Sequence, residues 1–259
     1  MTTDAARLVL AAVVGLCVGS FLNVCIYRLP RRESLVWPAS RCTSCARPLQ
    51  WFHNIPLASW LALGGKCAYC RAPVSAQYPI VEAVTALTWV LIVWLTPPGW
   101  LLVSRLLLAT ALIVLFAIDY EHQILPNVIT LPGIAIGFAL SLVTLPGPID
   151  SLLGIVVGGG VLYAIATGYY LLRKEEGMGM GDVKMLAMIG AFLGWRAVLV
   201  TLVLSSFTGA VIGVSLMLTA RGTLRYALPF GTFLSIGALV AMLAGDALLA
   251  WYLGFFPTL

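Results

Sequence analysis

An all-α, polytopic membrane protein is the fold class this sequence predicts, and three observations carry it. Of the 259 residues, 61% are hydrophobic and only 10% are charged, where soluble domains carry about 25% charged residues. The apolar residues gather into stretches close to the roughly 20 residues that cross a bilayer as a helix. The basic residues gather in a few of the loops between those stretches. A chain of this length has room for one or two soluble domains, but so much apolar surface needs lipid to cover it.

The first apolar stretch runs from Leu8 to Tyr27 and is long for a secretory signal. It lacks an Ala-x-Ala cleavage site and is stopped by Arg28, Arg31 and Arg32, which predicts a retained span. Residues 28–79 are polar and rich in Pro and Cys, and form a separate small module. Spans then follow near Ile80–Leu95, Leu101–Ile118, Val128–Leu145, Leu152–Leu172, Val183–Leu193, Ala197–Leu218 and Pro229–Leu253, about eight in all, with the sixth meeting the seventh at Gly194–Arg196. The expected organisation is a first transmembrane helix (1–27), a cysteine module (28–79) and a transmembrane core (80–259).

With the N-terminus outside, the loops after spans one, three, five and seven face the cytoplasm. They hold all the Lys and Arg except Arg7, Arg105 and Arg196. This bias predicts an N-out, C-out topology in a cytoplasmic membrane. It also explains the net charge of +5 without a nucleic-acid partner.

Of the six cysteines, Cys17 and Cys25 lie in the first span and read as small apolar residues. The other four form Cys42-Thr-Ser-Cys45 and Cys67-Ala-Tyr-Cys70, two CxxC knuckles about twenty residues apart. That spacing matches a structural Zn²⁺ site, in which four thiolates fill a tetrahedron and leave no open position. A reducing cytoplasm disfavours disulfides. A redox CxxC and unliganded thiols are the alternatives, and His53 lies between the knuckles as a spare ligand or an ordinary loop residue.

Ionisable residues at membrane depth are functional candidates. Asp119 ends the third span, and Asp182 opens the sixth after Gly177-Met-Gly179-Met-Gly181. The predicted topology puts both at the cytoplasmic face at similar depth. Two facing carboxylates in a low-dielectric site share one proton, a state suited to peptide hydrolysis: one draws a proton from water while the other donates to the scissile carbonyl. The glycine loop (Gly177, Gly179, Gly181) lets an extended substrate lie against its backbone. The plainer readings are an N-cap for Asp182 and a water-exposed turn for Asp119. The glycine spacing is not that of a phosphate-binding loop.

At these residues the chain resembles the bacterial prepilin peptidases, or type IV leader peptidases, over nearly its whole length. The resemblance rests on Gly19-Ser-Phe-Leu-Asn-Val24 with Tyr27-Arg28-Leu29-Pro30, the two knuckles, Tyr78-Pro-Ile-Val-Glu82, Asp119 with Leu125-Pro126, and Gly177-Met-Gly-Met-Gly-Asp182-Val-Lys184. It implies that Asp119 and Asp182 are the catalytic dyad of a GxGD-type intramembrane aspartic protease. Gly177, Gly179, Gly181 and Lys184 then belong to the substrate-binding loop. The implied substrates are type IV prepilins and type II secretion pseudopilins, cut after a glycine that ends a short basic leader, on the cytoplasmic side of a bacterial inner membrane. Many members then methylate the new N-terminal amine using S-adenosylmethionine, and the cysteine-bearing part is associated with that bifunctional form. One departure is visible: the family commonly has Leu-Pro-Asp where this chain has Leu125-Pro126-Asn127.

Glu175 and Glu176 offer a site for a basic leader or a solvated charge pair. Glu82 reads as an interfacial anchor or part of a methyl-transfer site, Lys184 as a charge near the dyad or a snorkelling side chain, and His122 as a neighbour of the dyad or a loop residue. A proton-coupled transporter using the two aspartates as a relay is the rival class. It expects acids near the bilayer midplane and matching halves. A zinc-dependent scaffold would have no use for the dyad.

Overall fold

The computed structural model describes residues 2–174, 179–219 and 228–255. It is helical throughout, with two isolated β-bridges as the only extended pairing among the described residues. The helices are α1 (Thr2–Arg28), α2 (Ala58–Ala62), α3 (Gln77–Leu95), α4 (Trp100–His122), α5 (Asn127–Ser141), α6 (Pro148–Arg173), α7 (Met180–Thr219) and α8 (Phe230–Leu253). Six of these are long and apolar enough to cross a membrane: α1, α3, α4, α6, α7 and α8. Every apolar stretch foreseen as a span holds a helix, but the lengths are uneven, and the stretch Val128–Leu145 is helical only to Ser141. At 15 residues, α5 spans only about 22 Å against a hydrocarbon core of about 30 Å.

Helix α7 has 40 residues, twice what one crossing needs. Gly194 interrupts it with φ 79°, ψ 173°, a conformation that glycine adopts without a side-chain clash. Helix pairings on either side of Gly194 run in opposite directions. In the first limb, Gly133 and Gly137 of α5 face Met188 and Phe192 in step, so these two helices are parallel. In the second limb, Thr201 and Ser205 face Gly237 of α8, and Gly213 faces Leu228, so these two are antiparallel. Helices α5 and α8 both start at the end of the unit where α4 finishes, as the contacts of Asp119 below require. The chain therefore reverses at Gly194, and the sixth and seventh apolar stretches form two limbs of one helical run, the first of them shorter than α5.

The chain divides into two compact units, Met1–Pro98 and Gly99–Leu259. In the first, α1 and α3 pack antiparallel. A Cβ on Gly19 would lie 2.7 Å from Glu82 Cα, so the small residues of the Gly19 motif set how closely the helices approach. Asn23 Nδ2 donates to Tyr78 O at 3.1 Å. Helix α3, grouped with the later spans from sequence, thus shares a unit with α1 and the cysteine module. In the second unit, α6 lies along the first limb of α7. Ser151 Oγ donates to Ala191 O at 2.7 Å, satisfying a hydroxyl that hydrocarbon would leave costly.

Candidate functional site

Asp119 lies in the last turn of α4, where its charge opposes the dipole of its own helix. Another helix compensates. Oδ2 accepts the Thr232 backbone N–H at 2.7 Å and the Thr232 hydroxyl at 3.2 Å. Thr232 is the third residue of α8, whose N–H has no partner within the helix. Asp119 therefore caps α8 from a distance and is only 5% exposed. The water-exposed-turn reading of this residue fails for that reason.

Close approach at this contact depends on Gly231, where a Cβ would stand 2.9 Å from Asp119 Oδ2 and 3.0 Å from Leu125 Cδ1. Leu125 also fills the space over Gly181, where a Cβ would lie 2.9 Å from Leu125 Cβ. The Leu125-Pro126 pair thus has a physical role. Leu125 wedges between the starts of α7 and α8, and Pro126 caps α5, its carbonyl accepting the Ile129 and Thr130 N–H groups at 3.1 and 3.2 Å.

Asp182 sits in the first turn of α7, half-buried, its N–H donating to Gly179 O at 3.2 Å. Its carboxyl feels the charge of Asp119, so the structure brings the two sequence-distant acids into one site. Lys184 Nζ donates to Asn127 Oδ1 at 2.9 Å, tying α7 to the first residue of α5. The N-termini of α5, α7 and α8 therefore converge on the end of α4. Each carries the partial positive charge of a helix start, which favours negative charge among them.

Other predicted residues are distributed unevenly. Gly179 and Gly181 lead into Asp182, whereas Gly177, Glu175 and Glu176 lie outside the described residues. His122 Nε2 is 3.8 Å from Glu121 Oε2, which places it in the last turn of α4 beside that acid. Glu82 is buried, and its Oε2 accepts the Leu57 N–H at 2.8 Å. Leu57 has φ 58°, so the carboxylate holds a strained turn of the cysteine module onto α3. Thr232 and Gly231 were missed from sequence. Their signal was faint: a Gly one residue inside the helix that follows Pro229, where glycine is disfavoured without a packing reason.

The cysteine module is built from two knuckles of the same design. Cys42 N–H donates to Arg47 O and Cys67 N–H to Ala72 O, at 3.0 and 2.8 Å. Ala46 and Arg71 each take φ near 60° to close the turn, at 57° and 59°. N–H groups also point at sulfur, Ser44 to Cys42 Sγ and Tyr69 to Cys67 Sγ, both at 3.4 Å. The four Sγ atoms of Cys42, Cys45, Cys67 and Cys70 lie within 4.8 Å of one another, with Cys42 and Cys70 at 3.9 Å. A tetrahedral Zn²⁺ with bonds of about 2.3 Å needs sulfurs about 3.8 Å apart, so the cluster fits a metal ion.

The N–H groups of Cys70 and Tyr69 pull the Cys67 thiol down to about 6. At Cys70 the Ala72 N–H acts in the same direction, but burial and the sulfurs of Cys67, Cys45 and Cys42 outweigh it and push that thiol up to about 11. Such crowding is what a divalent cation relieves. His53 lies outside this cluster. Its Nδ1 accepts the Gln50 N–H at 3.4 Å, and its ring stands edge-on to Phe52 and Tyr69.

Comparison with known proteins covers both units. Residues 13–96 match the bacterial peptidase A24 N-terminal domain, and residues 106–214 match the type IV leader peptidase family. A relative from Aeromonas salmonicida is 38% identical over 270 residues, covering 94% of this chain and 93% of its own length. One from Stutzerimonas stutzeri is 39% identical over 269 residues, covering 95% and 93%. One from Myxococcus xanthus is 44% identical over 213 residues, covering 81% and 63%. All three carry the name prepilin leader peptidase/N-methyltransferase. No solved structure matches. Along nearly its whole length, and with its two acids drawn to one site, this chain belongs to the type IV leader peptidase family.

Proposed function

We propose that this protein is a membrane aspartic endopeptidase that removes the basic leader of type IV prepilins or type II secretion pseudopilins after glycine, and then methylates the new N-terminal amine. The observation that carries the reading is the meeting of Asp119 and Asp182 where three helix N-termini converge. Asp119, held by two Thr232 donors, is suited to carry the negative charge and take a proton from water. Asp182, half-exposed, holds the shared proton and delivers it to the scissile carbonyl. Gly179, exposed ahead of Asp182, offers substrate backbone a place to lie, while the space over Gly181 is taken by Leu125.

The methyl step requires an electrophilic donor, which the resemblance and the relatives' name make S-adenosylmethionine. Cys42, Cys45, Cys67 and Cys70 would hold a structural Zn²⁺, since four thiolates would complete its shell. The basic-loop bias supports an N-terminus outside and the dyad at the cytoplasmic face of a bacterial inner membrane. A relay for transport is disfavoured by the acids' position at helix ends rather than mid-helix.

The test is reconstituted protein with a membrane-inserted precursor carrying a Gly–Phe junction, with and without S-adenosylmethionine, and products read by mass. Loss of the leader mass, followed by a methyl increment only with the donor, is expected. An uncut precursor would sink the peptidase reading. A cut but never methylated product would sink the second activity alone. An impermeant thiol label that reaches residues 28–79 from outside intact cells would overturn the orientation.

A further inference from the structure

We infer that residues 51–63 are an interfacial anchor, which lays the cysteine module on the anionic headgroup layer of the bilayer that its neighbouring helices cross. The run reads Trp-Phe-His-Asn-Ile-Pro-Leu-Ala-Ser-Trp-Leu-Ala-Leu, and no Lys, Arg, Asp or Glu occurs between Arg47 and Lys66. It is too short to span and has the length of an interfacial segment. The module uses one of its large side chains internally. Trp60 Nε1 donates to Val74 O at 3.2 Å, and the Trp60 ring covers Gly65. Others are left over. Trp51 is 79% exposed and Leu61 69%, and Phe52 and Ile55 are exposed as well.

Placement and charge decide what covers them. The module is tied at both ends to helices of its own unit that are long and apolar enough to cross a membrane, α1 ending at Arg28 and α3 starting at Gln77. Its middle is tied too. The Leu57 N–H reaches Glu82, the sixth residue of α3, so the run lies beside the first two turns of α3 rather than out in water beyond its end. At that depth Trp meets the membrane–water interface where it is enriched. The surrounding charge has one sign. Arg31, Arg32, Arg41, Arg47, Lys66 and Arg71 are exposed, and Glu33 is the one acid between α1 and α3. Such a set is drawn to anionic headgroups and repels a basic peptide.

The experiment uses the full chain in vesicles of phosphatidylcholine, with or without about a third phosphatidylglycerol as the anionic lipid. A trace of lipid carries a photoactivatable diazirine high on its acyl chain. Adducts are mapped by mass and normalised to those on Val13 and Val14, exposed on α1. Wild type should carry adducts on Trp51, Phe52, Ile55 and Leu61. Their yield should be at least about threefold higher with phosphatidylglycerol, a gain that about 0.5 M salt removes. The double variant Trp51→Ser, Leu61→Ser should cut the adducts on Phe52 and Ile55 at least about fivefold. Wild type without adducts across residues 51–63, or with adducts spread evenly over residues 29–76, overturns the anchor; the first result would mean that protein covers the run. Equal yields in both vesicles and at both salt levels overturn the anionic surface. Undiminished adducts in the double variant overturn Trp51 and Leu61 as the anchoring side chains.

Discussion

The cysteine module and the acidic site solve the same problem, bringing polar groups together at defined spacing, in opposite ways. Each knuckle is closed by hydrogen bonds spanning five residues, Cys42 to Arg47 and Cys67 to Ala72, and only the pairing of two finished knuckles is long-range. The acidic site has no finished parts. Asp119 is placed by Thr232 on a helix more than a hundred residues later, and Asp182 by the packing of α7 against α5 and α6. The geometry of each knuckle is therefore set by its own few residues, while the meeting of the two acids depends on the register of four helices.

The largest effect that would break this contrast is at the acids themselves. Asp119→Asn and Asp182→Asn keep shape but cannot exchange protons. Each should lower leader cleavage by about a thousandfold or more while leaving methylation of an already cleaved substrate intact. Product mass on full-length and pre-cleaved precursor measures both. Near-normal cleavage by either variant would remove the aspartic-protease assignment, and loss of methylation in both, with folding intact, would join the two sites.

Next in size is the metal. Wild-type protein should carry about one equivalent of Zn²⁺, and the double variant Cys42→Ser, Cys45→Ser should lose it. Structural zinc contributes on the order of 10 kcal/mol to small metal-folded units, so limited proteolysis should then cut within residues 28–79 while α4–α8 stay resistant. A metal-free wild type with a protease-resistant module would end the metal reading.

A finer test concerns the cap on α8. Gly231→Ala pushes a methyl against Asp119 Oδ2 and should cost about a hundredfold in kcat/KM, the penalty of misplacing a catalytic group by about 1 Å. Thr232→Val removes the hydroxyl donor but keeps the backbone one, and should cost only about tenfold, one hydrogen bond to a charged group. If Thr232→Val proves the worse, the hydroxyl has a role beyond holding Asp119.

The smallest expected effect is at Asn127→Asp, which turns the exposed contact with Lys184 into an ion pair. Such pairs contribute about 1 kcal/mol or less, so cleavage and melting temperature should change little. A change of tenfold or more in kcat/KM would place Lys184 in the chemistry rather than in the tie between α5 and α7.

The apolar helices, the clustering of the four cysteines and the two acids were legible in the sequence because each leaves a local mark: a run of apolar residues, a CxxC spacing, a carboxylate where lipid discourages one. Even the break at Gly194 was marked, by Gly194-Trp195-Arg196 interrupting an apolar run. What supports the acids left almost no mark. Gly231 and Thr232 look like ordinary residues of the last span, and Leu125 like any loop leucine.

Which residues must avoid water, and which spacings suit a metal, the sequence determined by itself, since hydropathy and ligand geometry act over a few neighbouring residues. Which helix end would meet Asp119, which glycine had to stay bare and which lysine would bond Asn127 only the tertiary structure decided. Those outcomes depend on how α4, α5, α7 and α8 settle against one another. In lipid, that packing is chosen by side-chain shape and by the need to satisfy every buried polar group.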